Sequence, residues 1–97
     1  MKTNDILLAQ DVYSNMYWFL QVVKATDQTV TVRRIKANRT NGMPLANEFR
    51  EGLFGHPMAK RVKNGRIRLG DWASAELWNG EPLHEEHPNW GLNYNLY

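Results

Sequence analysis

Residues 58–69 run Met58-Ala59-Lys60-Arg61-Val62-Lys63-Asn64-Gly65-Arg66-Ile67-Arg68-Leu69. Asn-Gly is a strong hairpin signal, because both residues tolerate the positive φ angles that a type I′ turn demands. Ile67 and Leu69 alternate with Arg66 and Arg68, and Met58 and Val62 stand among Lys60, Arg61 and Lys63. The pattern predicts two antiparallel strands, with one apolar face and one basic face.

Working towards the N-terminus, Met16–Thr26 is rich in aromatic and β-branched residues and contains neither Gly nor Pro, which predicts a central strand covered on both faces. Asp27-Gln28 turns the chain into Thr29–Ala37, where Thr31 and Arg33 alternate with Val30 and Val32. Arg33-Arg34 interrupts that alternation and suggests a bulge or a change of face. Between the hairpins, residues 38–56 carry Asn41-Gly42, Met43-Pro44, Gly52 and Gly55 and read as a long loop with one helical turn around Ala46–Arg50. Loops of this length in compact domains are often functional. Beyond the second hairpin, Trp72–Trp78 reads as a further short strand, Asn79-Gly80 as a turn, and 81–97 as an irregular C-terminal arm.

These elements define an all-β fold: a small curled sheet or barrel of five to six antiparallel strands, SH3-like or OB-like, with a long loop between hairpins. Ninety-seven residues suffice for one domain, with a β core over 1–80 and the arm over 81–97. An apolar share of 42% with 23% charged residues is too hydrophobic for a disordered chain and too mixed for a membrane one. The run Ile6-Leu7-Leu8-Ala9 is far shorter than a signal peptide's apolar region or a membrane span, so the expected location is the cytoplasm, with no membrane partner. There are no cysteines, which removes disulfides, thiolate metal sites and a Cys nucleophile together.

The net charge of +2 conceals a strong asymmetry. Residues 1–32 carry −1; residues 33–68 set ten bases against Glu48 and Glu51, for +8; residues 69–97 hold five acids and no base, for −5. Such a cluster calls either for an anionic partner or for the acidic C-terminal part to fold back over it. Arg33, Lys36, Lys60, Arg61, Lys63, Arg66 and Arg68 are the candidate nucleic-acid-binding residues, and Tyr13, Tyr17, Trp18 and Trp72 the candidate platforms for unpaired bases.

The strings Phe19–Lys36 (F-L-Q-V-V-K-A-T-D-Q-T-V-T-V-R-R-I-K), Pro57–Val62 (P-M-A-K-R-V) and Ala73–Pro82 (A-S-A-E-L-W-N-G-E-P) resemble a group of short bacteriophage and prophage proteins. Members of that group place Tyr-Asp-Gln-Thr-Asn ahead of a Phe-Tyr-Gln-Val strand, where this chain has Val12–Phe19. The resemblance implies a phage or mobile-element setting inside a bacterial cell, and brings no activity, cofactor or catalytic residue with it.

His84-Glu85-Glu86-His87 has metal-binding residue types, but Pro82 and Pro88 bracket it and the His spacing differs from the i, i+4 of helical zinc sites, so an acidic loop is expected and no metal ligand assigned. No Gly-x-Ser-x-Gly elbow or phosphate-cradling glycine loop accompanies Ser14 or Ser74, and Gly52-x-x-Gly55 is too common a pattern to signify. No catalytic residue and no cofactor are assigned, and the chain is expected to bind rather than catalyse. Two binding modes remain: contact with nucleic acid or a nucleoprotein through the basic hairpins, or modulation of a host protein, including a defence complex, through Trp90, Tyr94 and Tyr97 of the arm.

Overall fold

The computed structural model describes residues 1–14, 16–52 and 55–83. They form seven strands: β1 (Ile6–Asp11), β2 (Tyr17–Ala25), β3 (Thr29–Ala37), β4 (Pro44–Phe49), β5 (Met58–Lys63), β6 (Arg66–Gly70) and β7 (Ala73–Leu77). No helix occurs among the described residues. Six strands close an antiparallel barrel in the order β2-β1-β7-β6-β5-β3, with β3 pairing back to β2, and β4 lies outside it on β3. The all-β barrel expected from the hairpin pattern is thus the observed architecture.

The barrel interior follows the period-2 alternation of its strands. Leu7 and Ala9 of β1, Trp18, Leu20 and Val22 of β2, Val30 and Val32 of β3, Ile67 and Leu69 of β6, and Ala73 and Ala75 of β7 form one buried cluster. The odd-numbered positions of β3, and of β2 before its register shift after Val22, face outward, yet Phe19, Ile35 and Ala37 are also buried, in a second cluster with Leu83. Ile6, Leu8, Tyr17, Phe49 and Trp78 pack against that outer cluster, and the Trp78 ring meets Phe19 edge-on at 5.7 Å between centroids. β2 is therefore covered on both faces, as its composition implies.

Three expectations are corrected. Ile6–Ala9 was expected only as a short apolar run, but it lies in β1, because a strand between β2 and β7 can bury Leu7 and Ala9 inward while Ile6 and Leu8 reach the outer cluster. The helical turn expected around Ala46–Arg50 is instead the second half of β4 and the residue after it. On one edge of β3, β5 pairs only with Thr29–Val32, and β4 takes the rest, pairing Phe49 with Ile35 and Pro44 with Ala37. The interruption at Arg33-Arg34 produces no bulge against β2: Gln21↔Arg33 and Leu20↔Arg34 stay in register, and the shift falls between Val22 and Lys24. Arg34 follows the alternation, is buried, and has its guanidinium 5.7 Å from the Trp18 ring centroid.

β4 is tied down by polar contacts as well as by the outer cluster. Gln21, buried on the outer side of β2, donates from Nε2 to Asn47 Oδ1 (2.9 Å) and accepts the Asn47 backbone N–H on Oε1 (2.7 Å). These bonds satisfy an amide that burial would otherwise penalise, and they hold Asn47 at a φ of 66°. Asn64 and Gly65 both have positive φ, the geometry their identity predicts for the β5–β6 turn.

Gly42, at φ 72°, accepts the Leu83 N–H on its carbonyl, and a Cβ there would collide with the Leu83 carbonyl. Gly42→Ala is expected to destabilise the domain by about 1–3 kcal/mol from backbone strain alone, more once Leu83 is displaced. A thermal melt reads this as a drop of roughly 4–8 °C per kcal/mol. Gln21→Leu keeps the volume but strands the Asn47 amide, and is expected to cost about 1–3 kcal/mol in a denaturant titration.

Candidate functional site

Along β5, β6 and β7 the inward positions are apolar and the outward positions are charged. Val62, Ile67 and Ala75 face the core, and the register sets Lys63 opposite Arg66, Arg66 opposite Glu76 and Arg68 opposite Ser74. Directly paired residues of antiparallel strands share a face, so Lys63, Arg66, Arg68, Ser74 and Glu76 stand together outside the barrel. Arg61 joins them by alternation with Val62. A shallow groove of about 520 Å³ runs over this surface, lined among others by Arg61, Lys63, Arg66, Arg68 and Ser74, with Val12 from the β1–β2 turn also lining it.

Two of the four cations are held by acids. Arg66 donates from Nε to Glu76 Oε2 at 3.2 Å, with Nη2 also 3.2 Å from that oxygen, and Arg68 Nη2 lies 2.7 Å from Asp71 Oδ1. All four side chains are more than half exposed, so each pair contributes at most about 1 kcal/mol and orients its guanidinium without neutralising it for a stronger anion. Arg61 and Lys63 are in no ion pair among the described residues.

The other candidate cations lie elsewhere. Lys60 pairs with Val30 and shares the inward-facing side of β5 with Met58 and Val62, where it is half-buried, because position 60 has the wrong parity for the outer face. Arg33 donates from Nε to the Gly55 carbonyl (2.6 Å) with its guanidinium 4.4 Å from the Phe49 ring centroid, so it fastens the chain after β4. Lys36 is exposed, but it stands seven residues along β3 from Thr29, the partner of Arg61, or about 23 Å at strand rise. Arg34 and Arg50 are buried, so part of the positive charge of residues 33–68 belongs to the fold.

Of the four candidate platforms, Trp18 is buried in the core and Trp72 packs beside it at 6.4 Å between ring centroids. Tyr17 packs on the outer cluster, its hydroxyl accepting a bond from Gln10 Nε2. Tyr13 is 83% exposed. The turn that carries it is well fastened: Asp11 Oδ1 accepts the N–H groups of Tyr13 (2.8 Å) and Ser14 (3.2 Å), and Val12 N–H donates to the Trp72 carbonyl (2.9 Å). Val12 carried no signal in the sequence, since a single apolar residue before a turn does not disclose which strand pair it will flank.

Trp90, Tyr94 and Tyr97, and likewise His84 and His87, lie outside the described residues. Among the described residues, no three His, Asp or Glu side chains are grouped to hold a metal ion, and no helix is long and apolar enough to cross a membrane. No known protein family matches the chain, and no significant similarity links it to a curated protein or a solved structure.

Partial burial raises the Asp11 carboxyl's pKa, but hydrogen bonds from the Tyr13 N–H and from the Ser14 hydroxyl and N–H outweigh it and hold the group below the ordinary aspartate value. A carboxyl with a depressed folded-state pKa stabilises above the unfolded value, about 4, and that contribution disappears as pH falls through the lower folded value. Asp11→Ala is therefore expected to melt below the native protein at pH 7 and to lose part of that difference in acid, as followed by thermal melts across a pH series.

Proposed function

We propose that this chain is a non-catalytic binding protein of a bacteriophage or other mobile element, and that it contacts nucleic acid or a nucleoprotein in the bacterial cytoplasm through the outer face of β5 and β6. The observation that carries this reading is the convergence of Arg61, Lys63, Arg66 and Arg68 on one groove. Guanidinium groups present forked donors that match phosphate oxygens, and most protein contacts to nucleic acids are made to phosphate and sugar. Glu76 and Asp71 support it by holding Arg66 and Arg68 extended at the surface through exposed pairs, which a phosphate can replace at little cost. The phage setting rests on the resemblance of the Phe19–Lys36, Pro57–Val62 and Ala73–Pro82 strings, two of which contribute strands to the groove.

Four cations engage at most about four phosphates, for a slope of log K against log salt of about −2.8 to −3.6. Raising salt from about 50 to about 200 mM is then expected to weaken binding of labelled nucleic acid by roughly 50- to 150-fold in fluorescence anisotropy. Reversing the two cations without acidic partners, Arg61→Glu with Lys63→Glu, is expected to abolish binding while the melting temperature stays close to native. Salt-insensitive binding, or full affinity in that double variant, would overturn the reading.

A further inference from the structure

A groove that reads phosphates need not distinguish a duplex from a single strand; what stands beside the cations decides that. Tyr13 is the residue after Val12, so its Cα lies about 3.8 Å from that of a residue lining the groove. Its ring packs on neither hydrophobic cluster, in contrast to Tyr17, Trp18 and Trp72, and 83% of the residue is open to solvent. Leaving a large aromatic side chain in water forgoes the burial that usually justifies one. The turn beneath it is nevertheless fixed, by Asp11 Oδ1 at the Tyr13 and Ser14 amides, by the Val12–Trp72 backbone bond, and by Asp11 N–H donating to the Met16 carbonyl at 2.9 Å. An exposed ring on a fastened turn loses little conformational freedom when a flat partner settles on it.

We propose that the groove takes single-stranded nucleic acid, with an unpaired base stacked on Tyr13 and the neighbouring phosphates on Arg61, Lys63, Arg66 and Arg68. This rests on the nucleic-acid reading of the groove and specifies its ligand. Stacking on an aromatic ring requires a base face that is not already stacked within a duplex. The acids on the same surface point the same way. Asp71, with its side chain 94% exposed, and Glu76 stand among the cations, where the broad, rigid double phosphate array of a duplex would meet them, whereas a flexible strand can pass around them.

The test compares a labelled oligothymidine with a mixed-sequence duplex of the same length, by anisotropy at about 50 mM salt, for the native protein and the variants Tyr13→Ala, Tyr13→Phe and Arg61→Glu/Lys63→Glu. The single strand is expected to bind more tightly than the duplex, with Tyr13→Ala losing roughly 5- to 150-fold for the single strand and Tyr13→Phe retaining most of the affinity. Tyr13 is 83% exposed and belongs to neither hydrophobic cluster, so equal melting temperatures for the Tyr13 variants separate loss of stacking from loss of structure. If Tyr13→Ala binds the single strand like the native protein, or the duplex binds as tightly as the single strand, while the double charge reversal still abolishes binding, the stacking inference fails and the groove reading stands. If neither nucleic acid binds the native protein, both fail.

Discussion

From Trp18 to Val22 strand β2 is buried on both faces, and most of the architecture follows from that. Trp18, Leu20 and Val22 enter the barrel, which requires β1 and β3 on either side to bring Leu7, Ala9, Val30 and Val32 into the same interior. Phe19 and Gln21 point the other way, and an apolar ring and an amide on the outside of a barrel need cover of their own. β4 and the segment from Trp78 to Leu83 supply it: Phe49, Trp78 and Leu83 pack around Phe19 and Ile35, and Asn47 answers Gln21. β4, the strand outside the barrel, is therefore a lid over the outer side of β2 and β3, and its place on β3 is what confines β5 to Thr29–Val32.

The same asymmetry locates the charged surface. Because the outer cluster lies over β1, β2 and β3, the opposite wall of the barrel, β5 to β7, has only its inner face to bury. Its outward positions are released to polar residues, and the basic residues of the β5–β6 hairpin alternate into that space. The bases of β3 and the segment after β4 take other work. Arg33 bonds Gly55 and lies over Phe49, while Arg34 and Arg50 are buried, so the run that looks uniformly basic in sequence divides into structural and exposed arginines.

The β5–β6 hairpin was legible because its signals are local. Asn64-Gly65 requires positive φ at both turn residues, and Ile67 and Leu69 alternate with Arg66 and Arg68 whatever lies around them. β1 was harder to see because Ile6–Ala9 is too short to display a period, and only the presence of partners on both sides makes it a strand. In sequence β4 resembles a loop with a helical turn because Ala, Asn and Glu carry no strand preference; the vacant edge of β3 and the buried amide of Gln21 draw it into the sheet. Lys60 adjoins its basic neighbours in sequence, but its parity places it with Met58 and Val62.

Alternation, turn chemistry and the aromatic and β-branched content of 16–37 were enough to determine an all-β fold of antiparallel hairpins and to mark one hairpin as basic, since these depend on dihedral preference and on the two-residue period of a strand. Whether those charges meet was decided by tertiary structure alone. Register brings Lys63 against Arg66 and Arg66 against Glu76, the pairing of Arg61 with Thr29 leaves Lys36 at the far end of β3, and the backbone bond from Val12 to Trp72 sets Val12 at the groove. Convergence of residues from positions 12, 61 and 74 is a property of strand order and closure, which arise from long-range pairing that no local run of residues encodes.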